Sequence, residues 1–229
     1  MMIKKIFFDL DRTLWDFETN SEIVLRKLYR TFNLHTFIPS EEAFLKTYRK
    51  KNEALWALYR KGCLNSDVLK QKRFYETFLV YGIDKPELAQ AFGKQYLNQL
   101  AEQKQLFPGT VELLNYLHPQ YDLYILTNGF REVQLNKLKN IGLNHYFTTI
   151  FTSDTIGFVK PMPEFFTYVL NAVKAKPAEC VMVGDDLQAD ILGAKHAGIS
   201  GIYFNPNKIP HQEKVDYEVS SLLEISKIL

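Results

Sequence analysis

Five short apolar segments, at residues 6–8, 122–126, 149–152, 180–183 and 202–204, constrain the fold of this chain more than any other feature. Each is a continuous run, without the alternation of a half-exposed strand, so each reads as a strand buried on both faces of a sheet. Helical patterns lie between them. Leu113, Leu114 and Leu117 follow Pro108-Gly109-Thr110; Val133, Leu135 and Leu138 precede Gly142, a helix stop; Phe165, Phe166, Val169 and Leu170 follow Pro163, suited to a first helical turn. Strands alternating with helices predict an α/β fold built on a doubly wound parallel sheet.

Residues 19–105 break that alternation and hold no convincing strand. Thr19 and Glu22 suggest a capping box for a helix carrying Ile23, Leu25, Leu28, Tyr29 and Phe32. Phe44, Leu45, Tyr48, Leu55 and Tyr59 fit a second helix, Phe74 and Phe78 a third, and Leu88, Phe92, Tyr96 and Leu100 a fourth. Their aromatic stripes read as bundle core. The expected division is an α/β core from residues 1–16 and 107–229, with an all-helical insert at 17–106.

The chain of 229 residues is 46% hydrophobic, enough for a core and a smaller lid. A formal charge of +2 gives no footprint for a nucleic-acid polymer. Cys63 and Cys180 form no CxxC pair and no zinc spacing, and a disulfide is not expected in a reducing compartment. The segment at residues 1–8 is too short in apolar length for a signal peptide, and no stretch approaches the ~20 residues that span a bilayer. The expectation is a soluble cytoplasmic protein, with no membrane partner, as monomer or homodimer. Neither GxGxxG nor GxxxxGK[ST] occurs, and the five histidines form no metal-spaced pair.

Four expected strand ends carry groups suited to phosphate chemistry, and ligands of open parallel sheets bind at such ends. After the first strand comes Asp9-Leu10-Asp11-Arg12-Thr13. Two close carboxylates repel and resist desolvation, which a hard divalent cation such as Mg2+ would offset. A carboxylate is also a competent nucleophile. Thr127-Asn128-Gly129 offers a hydroxyl and backbone N–H groups. Lys160-Pro161 offers a point charge. Gly184-Asp185-Asp186, with Asp190 a turn later, could complete a cation site. Taken singly, each also fits a plainer role: an Asx-rich turn, a turn and cap, a solvated lysine, or acids at a helix N-terminus.

As a set and in this order, DxDxT, TNG, KP and GDDxxxxD resemble the haloacid dehalogenase (HAD) superfamily of phosphohydrolases, over nearly the whole chain. The resemblance implies a Rossmann-like core and makes the helical insert similar to that superfamily's C1 cap. It implies Asp9 as nucleophile and metal ligand. Asp11 would be the general acid and base, its backbone carbonyl on the metal. Thr13 would support the loop, and Asp185 would bind Mg2+. Thr127, the Asn128 backbone and Lys160 would hold the phosphate; Asp190 would orient the metal's waters. Dehalogenases of the superfamily lack an acid at the place of Asp11, so its presence favours phosphoryl transfer. Residues 9–20, with Trp15-Asp16-Phe17, look like the branch of pyrimidine and related 5′-nucleotidases. The implied activity is Mg2+-dependent hydrolysis of a small phosphorylated metabolite through an aspartyl-phosphate. A sugar-phosphate phosphatase or phosphomutase of the same fold is the nearest alternative, and a non-catalytic phosphate-binding protein the alternative of another class. Residues 16–104 hold 15 basic and 11 acidic residues, a positive lid suited to anionic substrates, though solvated helix faces account for the same charge. Hinges are expected at 16–19 and 105–109.

Overall fold

The computed structural model describes residues 2–229. Strand β1 (Lys5–Phe8) is followed by α1 (Phe17–Thr31), α2 (Glu41–Arg60), α3 (Ser66–Leu79), α4 (Pro86–Ala101) and α5 (Thr110–Leu117). Then come β2 (Asp122–Thr127), α6 (Arg131–Asn140), β3 (Thr149–Thr152), α7 (Ser153–Ile156) and α8 (Pro163–Ala172). The chain ends with β4 (Cys180–Gly184), α9 (Gly193–His196), β5 (Ser200–Phe204) and β6 (Tyr217–Val219). The described residues up to Phe17 together with Lys104–Leu229 form one compact unit, and Glu18–Gln103 form a second.

In the first unit the strands make one parallel sheet in the order β3-β2-β1-β4-β5-β6. The chain winds outward from β1 to β3, then returns across β1 to build the other half, so the strand order reverses beside β1. Period-two alternation sends Phe7, Tyr124, Leu126 and Met182 to one face, where they pack with Phe165, Phe166 and Val169 of α8. Ile6, Phe8, Ile125 and Val183 take the opposite face and are equally buried. Burial on both faces is the reason these segments read as unbroken apolar runs. The sixth strand, β6, was not expected. Its Tyr217 and Glu218 are exposed and only Val219 is buried, so it carries no apolar run.

The second unit is all helical. Ser40 caps α2 by accepting from the Ala43 N–H at 3.1 Å, Asn65 caps α3 at 2.9 Å from the Val68 N–H, and Pro86 opens α4. Its interior is aromatic: Phe44 packs on Phe78 and Phe92, and Tyr48 stacks on Phe74 with centroids 4.9 Å apart. Two sequence expectations need correction here. The first helix starts at Phe17, so Thr19 lies inside it and the capping box is not formed; Glu22 instead pairs with Arg26 and Arg49. Ile23 is exposed, and Val24 takes the buried position. Among the described residues, no helix is long and apolar enough to cross a membrane.

Candidate active site

The carboxyl ends of β1, β2 and β4 bring the sequence-selected residues together. Past Phe8, the Asp9 N–H still bonds to the Val183 carbonyl at 2.9 Å, so Asp9 leaves the sheet in strand register. The chain then coils tightly around the Leu10 carbonyl, which accepts from the N–H groups of Leu14 and Trp15. Arg12 adopts φ 69°, the left-handed conformation this loop requires. Leu10, Leu14 and Trp15 are fully buried and anchor the loop. Thr13 is buried as well, and its hydroxyl donates to Asp185 Oδ1 at 3.2 Å, tying the β1 loop to the β4 end.

Lys160 is the electrostatic centre. Its buried ammonium lies 2.8 Å from Asp9 Oδ1 and 2.7 Å from Asp190 Oδ1, and also donates to the Leu126 carbonyl. Asn128 holds it in place: the side-chain amide donates to the Lys160 carbonyl and accepts the Lys160 N–H, both at 2.9 Å. The Asn128 side chain is thus occupied with Lys160, and what it has left for a ligand is main chain. Burial opposes the charge on Lys160, but Asp190 and Asp9 outweigh it and hold its pKa above the ordinary lysine value.

Three carboxylates converge beside that one cation. Oxygens of Asp9, Asp185 and Asp190 all lie within 4.8 Å of one another. Burial pushes the Asp9 pKa well up, with repulsion from Asp190 and Asp185 adding to it and Lys160 opposing it. Asp185 is pushed up to about 7 by burial and by Asp190. Asp190 is raised by burial against the pull of Lys160. Three mutually repelling, desolvated oxygen donors with a single lysine fit a hard divalent cation well. Asp190 spends one oxygen on Lys160 and the other on the Asp186 N–H at 3.1 Å. Asp9 and Asp185 each keep an oxygen that could take a metal ion, while both oxygens of Asp190 face protein groups. Gly184 makes this approach possible, because a Cβ there would sit 2.2 Å from Asp190 Oδ2. Asp186 turns away and caps the following π-helical turn, accepting from the Gln188 and Ala189 N–H groups.

Asp11 points elsewhere. Its carboxylate accepts from Gln134 Nε2 at 2.6 Å and from Lys137 Nζ at 2.5 Å, both residues being buried on α6. Gln134 also donates to Thr127 Oγ1 at 3.0 Å, and the Gly129 N–H donates to the same oxygen at 2.9 Å. The Thr127 hydroxyl thus accepts twice and retains its own proton to donate. Sequence reasoning missed Gln134 and Lys137. It read α6 from Val133, Leu135 and Leu138, yet Leu135 is exposed and Gln134 and Lys137 are buried beside Leu138. The detectable signal was a Gln and a Lys three residues apart just after a strand-end TNG.

A parallel sheet with paired acids after β1, a hydroxyl after β2, a lysine before α8 and acids after β4 defines a class of hydrolase. The chain belongs to the haloacid dehalogenase-like hydrolases, whose family model matches residues 3–198. Among particular relatives, HAD-hydrolase YfnB of Bacillus subtilis is 33% identical over 99% of this chain and 95% of its own. The magnesium-bound crystal structure of YfnB superposes with a TM-score of 0.91 at 31% identity, covering 100% of this chain and 99% of that one. Pyrimidine 5′-nucleotidase YjjG of Escherichia coli is 31% identical over 98% of this chain and 96% of its own. A glyceraldehyde 3-phosphate phosphatase of Methanothermobacter thermautotrophicus is 32% identical over 99% and 98%. The chain is an enzyme of the HAD phosphatase family.

Proposed function

We propose that this enzyme hydrolyses small phosphate monoesters, nucleoside 5′-monophosphates first among them, with Asp9 as nucleophile and Mg2+ as cofactor. The observation that carries the reading is the buried Asp9 carboxylate, held by Lys160 and faced by Asp185 and Asp190. Asp9 and Asp185 would hold the metal with the Asp11 backbone carbonyl, and the relative YfnB has been crystallised with magnesium. Bound there, the ion supplies positive charge against the transferring phosphoryl group. Lys160 and the Thr127 hydroxyl, with the Asn128 main chain, bind and orient the phosphate oxygens. An oxygen of the Asp9 carboxylate attacks phosphorus in line; the phosphorus–ester oxygen bond breaks, and Asp11, protonated for this step, gives its proton to the leaving oxygen. Asp11 then takes a proton from the water that attacks the same phosphorus, and phosphate leaves as Asp9 is restored.

The helical unit would act as a C1 cap that reads the leaving group and excludes water. Two relatives divide the substrate reading: the YjjG nucleotidase supports a nucleotide, and the glyceraldehyde 3-phosphate phosphatase supports a sugar phosphate as the second reading. Cys63 and Cys180 are both free thiols, in keeping with a cytoplasmic setting. The test is phosphate release from nucleotides, sugar phosphates and small phosphorylated acids, with Mg2+ or with EDTA. Release that needs Mg2+ and favours nucleoside monophosphates supports the proposal; equal rates in EDTA contradict it.

A further inference from the structure

Gly129 closes the Thr127-Asn128-Gly129 strand end, and its backbone is not in the left-handed region that ordinarily calls for glycine. It is glycine for space. A Cβ at this position would lie 2.7 Å from Gln134 Cδ and 3.1 Å from Gln134 Cγ, and closer still to Nε2. The Gln134 side chain therefore crosses directly over the Gly129 backbone. Gln134 stands in the first half of α6 and is 1% exposed.

The amide that crosses there joins two parts of the site. Its Nε2 donates to Asp11 Oδ2 at 2.6 Å and to Thr127 Oγ1 at 3.0 Å. An ionised carboxylate only accepts, so the NH2 end must face Asp11, and its two hydrogens serve one partner each. Both N–H bonds leave one planar nitrogen, which fixes the angle and separation of the two oxygens. Lys137 cannot supply this. Its ammonium is a point charge on a flexible stem, and it holds the other Asp11 oxygen. Remove the amide, and the Asp11 carboxylate is free to turn about that single contact. Thr127 would keep only the Gly129 N–H as a donor.

We propose that Gln134 is a positioning residue that holds Asp11 in register with the Thr127 hydroxyl, and that Gly129 is glycine to let its amide through. One amide then sets the distance between the group that binds phosphate and the group that protonates the leaving oxygen. A misplacement of about 1 Å at such a pair can cost ~10²-fold in rate. The inference rests on the reading of Asp11 as the acid and Thr127 as a phosphate ligand, and it deepens that reading by naming what aligns them. Its signature is chemical: losing the alignment should matter most where the leaving group needs a proton.

The experiment measures kcat/KM with Mg2+ for CMP, whose alkoxide leaving group needs a proton, and for p-nitrophenyl phosphate, whose phenolate leaves without one. Ribose 5-phosphate replaces CMP if the wild type does not turn CMP over. This constant covers the chemistry only through loss of the leaving group, so the later use of Asp11 as base does not enter. In Asp11→Asn the alkyl ester should fall by ~10²–10⁴-fold and the aryl ester far less. Gln134→Ala should lower the alkyl-to-aryl ratio by roughly 10-fold, and Gln134→Met, which keeps most of the volume, should match it. Gly129→Ala should lower the ratio as well. The double variant of Gly129→Ala with Gln134→Ala should be no worse than Gln134→Ala alone, because the obstructed side chain is gone. A ratio unchanged within about twofold in both Gln134 variants, beside an Asp11→Asn protein that shows its drop, overturns the inference alone. Losses that multiply in the double variant overturn the part assigned to Gly129. A wild type that releases phosphate from none of the three esters, or an Asp11→Asn protein with the wild-type ratio, overturns the underlying reading of the site, and shows it without any Gln134 variant.

Discussion

Lys137 places its ammonium 2.5 Å from Asp11 Oδ1 and 3.9 Å from the centre of the Trp15 ring. Burial lowers the Lys137 pKa against the pull of Asp11, so the ion pair and the aromatic face together hold a charge that the interior resists. Gln134 fixes the other Asp11 oxygen. Asp11 is thereby given one orientation, aimed by α6 rather than by its own loop.

Lys137→Met should therefore act through Asp11. General acid–base catalysis is worth ~10²–10⁴-fold, so losing the orientation should cost about 10–100-fold in kcat with KM changed little. Stability should fall by about 1–3 kcal/mol, because Asp11 loses a charged partner. Lys137→Arg, which keeps the charge, should retain more activity than Lys137→Met. Steady-state kinetics on the three proteins check this, and a loss confined to KM would contradict it.

Mg2+ should stabilise the folded enzyme without any substrate present. Asp9, Asp185 and Asp190 repel one another across less than 4.8 Å, and a bound divalent ion removes that repulsion. At 100 times its Kd the ion should add about 2.7 kcal/mol. Thermal melts with Mg2+ and with EDTA should show a clear upward shift in wild type and little in Asp185→Asn. In EDTA alone, Asp185→Asn should melt no lower than wild type, since it removes one of the repelling charges.

The helical unit should weaken in acid. Arg26 donates to Glu22, Glu41 and Glu42, Arg30 to Glu41, and Arg49 to Glu22. Hydrogen bonds from Arg26 lower the Glu22 and Glu42 pKa values, and one from Arg30 lowers that of Glu41. A carboxylate whose folded pKa is depressed contributes stability above its unfolded value. That contribution is lost as pH falls through the lower, folded value. Melting temperature should thus drop as pH falls below roughly 4.5, and drop less steeply in Arg26→Met. High salt should shrink the difference, because these groups face solvent. A variant with the wild-type acid slope would contradict the assignment.

Much of this was legible in the residues because the sheet is buried on both faces. Phe7, Ile125 and Met182 had to be apolar, so the strands stood out, and each strand end had to be polar for the site to exist. Asp9, Asp11, Thr127 and Asp185 fell at those ends, whereas Lys160 comes from the loop between α7 and α8 and not from a strand end. Other features left no such trace. Strand β6 buries only Val219. Residues Gln134 and Lys137 face inward on a helix whose pattern suggested Leu135 instead, because the site needed polar groups where packing alone would use apolar ones.

The proposed chemistry turns on a covalent bond from Asp9 to phosphorus. Wild type and Asp9→Asn should each be mixed with excess CMP and Mg2+, quenched in acid within the first turnovers, and the peptide carrying residue 9 weighed by mass spectrometry. The expected outcome is a wild-type peptide heavier by one phosphoryl group, and an Asp9→Asn protein that is folded, unlabelled and releases no phosphate. Sustained phosphate release by purified Asp9→Asn, or a label on any other residue, would contradict it.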